Sequence, residues 1–174
     1  MPLPSLRPCL NLKHTAGVPS AALSAWAHDD SQALGALFSM TPEQFISKWH
    51  ASTLKERSAS QSHFIDLCKL LGVDNPTDSD GQGEFYCFER GASKTTGGEG
   101  WADVWKRGHF GWEYKGKRKD LTAAYSQLQQ YAVALENPPL LVVSDMDRIV
   151  IHTNWTNTVS EVHSIALDEL KDSN

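Results

Sequence analysis

The stretch Trp101–Lys119, W-A-D-V-W-K-R-G-H-F-G-W-E-Y-K-G-K-R-K, decides how this chain is read. Asp103 is followed by nine residues, then Glu113, one residue and Lys115, with apolar residues flanking each charged one. Such a pattern around Lys106-Arg107-Gly108 predicts two short strands joined by a tight turn. The two-residue period sends Glu113 and Lys115 to one face and Phe110, Trp112 and Tyr114 to the other. Where Asp103 falls depends on the turn. A two-residue loop at Arg107-Gly108 sets it opposite Trp112, on the wrong face. A three-residue loop at 106–108, with Gly108 left-handed, sets it opposite Gly111 and diagonal to Glu113. Glycine at the third loop position favours this second register, in which two carboxylates and a lysine converge.

A patch of that kind suits divalent-metal phosphodiester hydrolysis. Mg²⁺ prefers carboxylate and carbonyl oxygens and keeps several waters. It lowers the pKa of a bound water and neutralises charge developing on phosphate, while a nearby lysine orients the water. The bland alternative is an exposed hairpin with a solvated Glu113–Lys115 pair. E-x-K alone says little, because charged residues alternate on many strands; the D-x9-E-x-K spacing across a hairpin says more.

The rest of the composition bounds the reading. At 174 residues, the chain has room for one domain with a sizeable core. A net charge of −5 argues against a protein that coats nucleic acid generically. Yet Lys106, Arg107, Lys115, Lys117, Arg118 and Lys119 face only Glu113 within residues 106–119, a local basic run suited to contact at one face. Cys9, Cys68 and Cys87 form no C-x-x-C pair and, being odd in number, no disulfide framework, so a reduced, cytoplasmic setting is expected. No apolar run approaches the ~18 residues that a membrane span needs.

Residues 1–39, rich in Pro, Ala and Ser, read as a poorly packed extension with a short helix near Ala21–Phe38. The organised domain spans 40–174, and Met40 is a candidate natural start. Thr41-Pro42 starts a helix. Thr53 and Glu56 make a capping-box pattern ahead of a second helix striped by Phe64, Leu67, Cys68 and Leu71 and stopped by Gly72. A polar loop (74–83), a strand (84–89) and a glycine-rich loop (91–100) precede the hairpin. Asp120 caps a helix over 121–136, ended by Asn137-Pro138-Pro139. Leu140–Ser144 is a continuous apolar run typical of a buried parallel strand. A strand at 148–153, a weaker segment near 161–167 and a short terminal helix follow. The order predicts an α/β fold around a mixed central sheet.

Gln127 and Tyr131, four apart, share a face of the helix after the hairpin. Gln127 is expected to hydrogen-bond near the candidate metal site and Tyr131 to support it or touch DNA, against a plain alternative of surface glutamine and core tyrosine. Glu56 is a further candidate carboxylate, against its capping role. His109 is a candidate phosphate contact. Asn137-Pro138-Pro139-Leu140 lacks the aromatic residue of adenine methyltransferase motifs and follows a helix, so no S-adenosylmethionine site is expected in this chain. The histidines show no zinc spacing.

D-x9-E-x-K followed by Q-x-x-x-Y resembles the PD-(D/E)XK nuclease superfamily. S-Q-S-H-F-I-D-L-C-K-L-L-G (60–72), G-W-A-D-V-W-K (100–106), W-E-Y-K-G-K (112–117), Q-L-Q-Q-Y (127–131) and I-H-T-N-W-T-N (151–157) more narrowly resemble the N-terminal endonuclease domain of single-chain type IIG/IIL restriction–modification enzymes. The resemblance implies a restriction-endonuclease-like three-layer core with a mixed sheet flanked by helices. It further implies Mg²⁺ (with Mn²⁺ as a substitute) held by Asp103, Glu113, the Tyr114 backbone carbonyl and Glu56, and a water positioned by Lys115. Gln127 and Tyr131 match the accessory motif. Lys106, Arg107, Lys117, Arg118, Lys119 and His109 are the expected contacts to double-stranded DNA. In that family methyltransferase and target-recognition domains follow the nuclease, and here they are expected in a longer parent or in separate subunits. Cutting both strands implies transient pairing of two modules. The other expectation kept open is a nuclease fold that binds DNA or protein without turnover.

Overall fold

The computed structural model describes residues 40–93 and 99–171; residues 1–39, and with them the expected Ala21–Phe38 helix, lie outside these. Helix α1 (Pro42–Ala51) starts as the sequence predicts. The Thr41 hydroxyl accepts from the Gln44 amide at 3.3 Å, and the Gln44 side chain accepts from the Thr41 amide at 3.0 Å. This reciprocal pair satisfies two amides that the first turn leaves without helical partners. Helix α2 (Glu56–Leu71) ends at Gly72, whose φ of 64° is the left-handed cap that glycine supplies without strain. The Thr53–Glu56 capping box does not form: Lys55 is the N-cap, and Thr53 stands two residues too early to reach the first turn. A short helix α3 (Pro76–Ser79), capped by the Asn75 side chain, occupies part of the expected polar loop.

The sheet has six strands in chain order: β1 (Tyr86–Ser93), β2 (Glu99–Lys106), β3 (Phe110–Tyr114), β4 (Leu140–Ser144), β5 (Arg148–Thr153) and β6 (Val162–Ala166). β3 and β4 run parallel, joined across α4 (Leu121–Gln130), and every other neighbouring pair is antiparallel. β1 and β2 take in residues at both ends of the expected glycine-rich loop, of which 94–98 lie outside the described residues. A 3-10 turn (Leu167–Lys171) closes the described chain where a short helix was expected.

Two apolar clusters fix the layers. On one face Val104, Trp112, Tyr114 and Val142 pack against Phe45 and Trp49 of α1 and Phe64, Leu67 and Cys68 of α2. On the other, Trp105, Leu141 and Val143 pack against Leu121, Ala124 and Leu128 of α4. The protein is thus α/β, a six-stranded mixed sheet with helices on both faces, an arrangement compatible with three layers. Coverage on both faces is why β4 reads Leu-Leu-Val-Val without alternation. No helix among the described residues is long and apolar enough to cross a membrane.

Helix α4 stops six residues short of the expected 136. Tyr131, at φ −113°, bends the chain out of the helix, and Glu136 and Asn137 turn it left-handed before Pro138. The apolar period was nevertheless real, because Tyr131, Ala132 and Leu135 all stay buried. Leu135 seats on β3: a Cβ added at Gly111 would stand 3.1 Å from its Cδ1, and its carbonyl accepts the Trp105 indole N–H at 2.9 Å.

Phe64 is the hub of the α2 face, its ring 5.3 Å from Trp112 and within 6.5 Å of Tyr86, Phe88 and Phe110. Phe64→Ala should lower unfolding stability by about 3–5 kcal/mol, the cost of an aromatic cavity. Urea denaturation checks this, and a loss below about 1 kcal/mol would mean that the cluster closes around the gap.

Candidate active site at the parting of two strands

The hairpin turn decides where Asp103 sits. The loop is 107–109, not 106–108: Lys106 pairs with Phe110, and the His109 amide donates to the Lys106 carbonyl at 3.0 Å. Gly108, at φ 67°, occupies the middle loop position. Moving the loop by one residue moves each strand partner by two, so Asp103 stays on the expected side. Continuing the Val104↔Trp112 register sets it across from Glu113 rather than Gly111.

There the ladder stops. β2 pairs with β3 only through residues 104–106, while β1 and β2 remain paired out to Ser93↔Glu99. The Asp103 carboxylate takes the place of the strand, with Oδ2 accepting the Tyr114 amide at 2.6 Å. On the neighbouring strand the backbone departs from extended geometry at the same level. Glu89, between the pairs Phe88↔Val104 and Arg90↔Ala102, has φ 53°, a conformation uncommon for a residue with a side chain. Across it the ribbon changes face: Phe88 and Val104 pack into the α2-side cluster, whereas Ala102 packs into the α4-side one.

Glu113 is buried, and its Oε1 lies 2.7 Å from Lys115 Nζ and 3.3 Å from Gln127 Nε2. Lys115 Nζ also donates to Gln127 Oε1 at 3.4 Å, closing a triangle. A carboxylate taken from water needs such partners, since an uncompensated buried charge costs several kcal/mol, on the order of 3–5 when one member of a pair is deleted. Tyr131 lies wholly buried at the end of α4. Burial first, and then the charge of Glu113 with a smaller share from Asp103, hold its hydroxyl well above the usual tyrosine range. It is therefore a proton donor within electrostatic reach of both carboxylates. Asp103, Glu113, Lys115, Gln127 and Tyr131 are thus brought together. Tyr114 presents only its backbone here, because its ring lies on the opposite face with its hydroxyl 2.9 Å from His63 Nδ1.

The remaining candidates separate. Lys106, Arg107 and His109 sit at the turn end of β3, whereas Lys117, Arg118 and Lys119 follow its other end, roughly 16 Å away at 3.3 Å per residue. The basic run is two clusters, not one. Lys106 lies over the Tyr86 ring at 4.6 Å, and Arg107 pairs with Glu136 at 3.1 Å. Exposed His109 turns its Nδ1 to the Arg107 carbonyl. Lys117, expected on DNA, is half-buried and engaged inside the protein, donating to Trp49 O at 2.7 Å and His50 O at 3.4 Å and pairing with Asp147 at 3.1 Å. It neutralises the negative end of α1. Arg118 and Lys119 are exposed. Glu56 opens α2, but its side chain lies outside those described. Among the described residues no group of three or more His, Cys, Asp and Glu gathers as a metal cluster.

Three supporting residues escaped the sequence reading of the site. Glu89 carries no signal, being neither glycine nor asparagine. His63 stands in no motif, and its contact with Tyr114 is visible only in three dimensions. Asp145 accepts the Arg118 and Asp147 amides at 3.3 Å each and braces the loop after Lys115; an Asp ending a buried strand was the available clue. The chain matches no protein-family model, no curated protein and no solved structure.

Two predictions follow from the supports. Glu89→Gly removes the side chain that disfavours φ 53° and should leave stability equal or higher, whereas Glu89→Val should destabilise by about 1–3 kcal/mol; chemical denaturation of both variants checks this. His63 is held neutral: burial foremost, opposed by Asp66, pushes it from 6.5 down to about 4. The unfolded chain then binds the extra proton, so stability is full above pH 6.5 and is lost as pH falls toward 4, by about 3 kcal/mol in total. His63→Gln, which keeps a partner for the Tyr114 hydroxyl, should flatten this slope in denaturation at a series of pH values.

Proposed function

We propose that this chain is a Mg²⁺-dependent DNA endonuclease module of the restriction-endonuclease-like kind. One observation carries the reading: Asp103 and Glu113 meet beside Lys115, Gln127 and Tyr131 at the point where β2 leaves β3. Two carboxylates and a strand backbone are hard oxygen donors, few enough to suit an ion that keeps several of its waters. Asp103 and Glu113, with the Tyr114 carbonyl, would hold Mg²⁺. When bound, the ion supplies an acidified water and charge neutralisation at phosphate.

The chain's own groups do the rest. Lys115 Nζ, 2.7 Å from Glu113 in the present arrangement, would orient the attacking water. Gln127 keeps the lysine and the glutamate in register through both ends of its amide. Tyr131 closes the floor of the site against solvent. Water attacks phosphorus in line with the departing 3′ oxygen; the P–O3′ bond breaks and the oxygen takes up a proton, giving a 5′-phosphate and a 3′-hydroxyl. One site cuts one strand, so double-strand cleavage calls for two modules. Arg118 and Lys119, exposed just after the site, are the phosphate contacts on its side.

Supercoiled plasmid should be nicked by the chain with Mg²⁺, and with Mn²⁺ in its place, but not in EDTA. Lys115→Ala and Glu113→Ala should each lower the rate at least 100-fold, the scale of losing a general acid–base or charge-positioning group. Undiminished nicking by Glu113→Ala would sink the assignment. Absence of nicking and of Mg²⁺ binding in calorimetry would favour the fold as a binding module.

A further inference from the structure

The two strands that carry Asp103 past the sheet remain without a role in the chemistry above. β1 and β2 stay paired from Arg90↔Ala102 to Ser93↔Glu99, beyond the last β2–β3 pair at Val104↔Trp112, so they project as a two-stranded ribbon from the catalytic end of the sheet. On this ribbon Trp101 is 57% exposed, unlike Trp49, Trp105 and Trp112, which are buried. Its ring lies against the opposite strand, where a Cβ added at Gly91 would stand 2.8 Å from its Cζ3. Gly91 is thus a seat for the indole, pinning a large aromatic surface in place while leaving it open to solvent. Ordering the ring in advance reduces the entropy that a partner must otherwise overcome.

We infer that this ribbon is a DNA-contacting arm and that Trp101 is its aromatic contact with duplex DNA, an inference that rests on the nuclease reading. Three arguments select that partner. Trp101 is two residues from Asp103, about 7 Å along the strand, which is about two phosphate steps at 3.4 Å per nucleotide. The indole is thus within about two nucleotides' reach of DNA held at Asp103 and Glu113, on the face of the ribbon opposite Ala102, which packs toward α4. A two-stranded ribbon has the width that the major groove admits. The indole offers an apolar surface that packs against sugars and base edges of the groove without needing charge, which suits an arm on an acidic protein.

The test is binding of a short fluorescent duplex by the full chain in EDTA, where cleavage does not compete, read beside plasmid nicking with Mg²⁺. Trp101→Ala should weaken duplex affinity roughly 5- to 100-fold, the loss expected for one aromatic contact. Trp101→Phe should retain most of it. Gly91→Ala, which keeps the tryptophan but lifts it from its seat, should weaken binding in the same direction. Equal urea midpoints for the variants exclude unfolding as the cause. Unchanged duplex affinity in Trp101→Ala, or no duplex binding by the parent chain, overturns the inference. Nicking by the parent with Trp101-independent binding removes the arm and leaves the nuclease reading standing. Trp101-dependent binding without nicking does the reverse.

Discussion

The hydrogen bond from the Tyr114 amide to the Asp103 carboxylate is the contact on which the arrangement around it depends. A buried strand amide without a partner costs about as much as a lost hydrogen bond, roughly 1–3 kcal/mol. β2 does not reach that amide, since it joins β3 only from Val104 onward, and the Asp103 carboxylate replaces the missing strand. The sheet can therefore open on one side of β3 without orphaning its backbone. On its other side β3 stays closed, paired along its whole length with β4 and continued by the Lys115 amide donating to Ser144 O at 2.8 Å. Below, Tyr114 is anchored through His63 against the α1–α2 layer. A strand fixed on three sides and open on the fourth is a rigid platform for groups that must not wander.

The lysines beyond that platform show why a charge run is a poor guide to a binding surface. Lys115 and Lys117 are two apart and chemically identical, yet one completes a triangle with Glu113 and Gln127 while the other ties the end of α1 to Asp147. Arg107, which looked equally available, lies over Trp105 and pairs with Glu136. Each cation is assigned by what the chain brings next to it, and a linear sequence states that only for neighbours on one element.

Parity explains what the sequence did reveal. The side on which Asp103 falls depends on whether the sum of paired residue numbers is odd or even, and a three-residue loop gives the same parity at 106–108 as at 107–109. The convergence of Asp103 with Glu113 was thus legible although their register was not. The buried parallel strand at 140–144 was legible because coverage on both faces erases alternation. The end of α4 was not, because Tyr131, Ala132 and Leu135 keep a helical apolar period while folding as turns; the period records burial, and Leu135 finds its seat at Gly111 without being helical. The kink at Glu89 was also illegible, since it depends on tertiary forces overriding the residue's own preference.

Stability alone does not account for the cluster at Glu113. A buried ion pair recovers little more than its desolvation cost, and apolar residues of similar volume often serve the folded state as well or better. Gly111, Trp105, Leu128 and Leu141 show that the α4 face of this sheet is otherwise built from apolar contacts. In the middle of that face the chain sets a carboxylate, an ammonium and an amide, joined pairwise by hydrogen bonds, beside a strained strand and a second carboxylate used as a backbone partner. Local rules of packing and conformation are broken together at one place. Such coincidence is what a site held for its chemistry would show, and it is the ground on which phosphodiester hydrolysis is proposed.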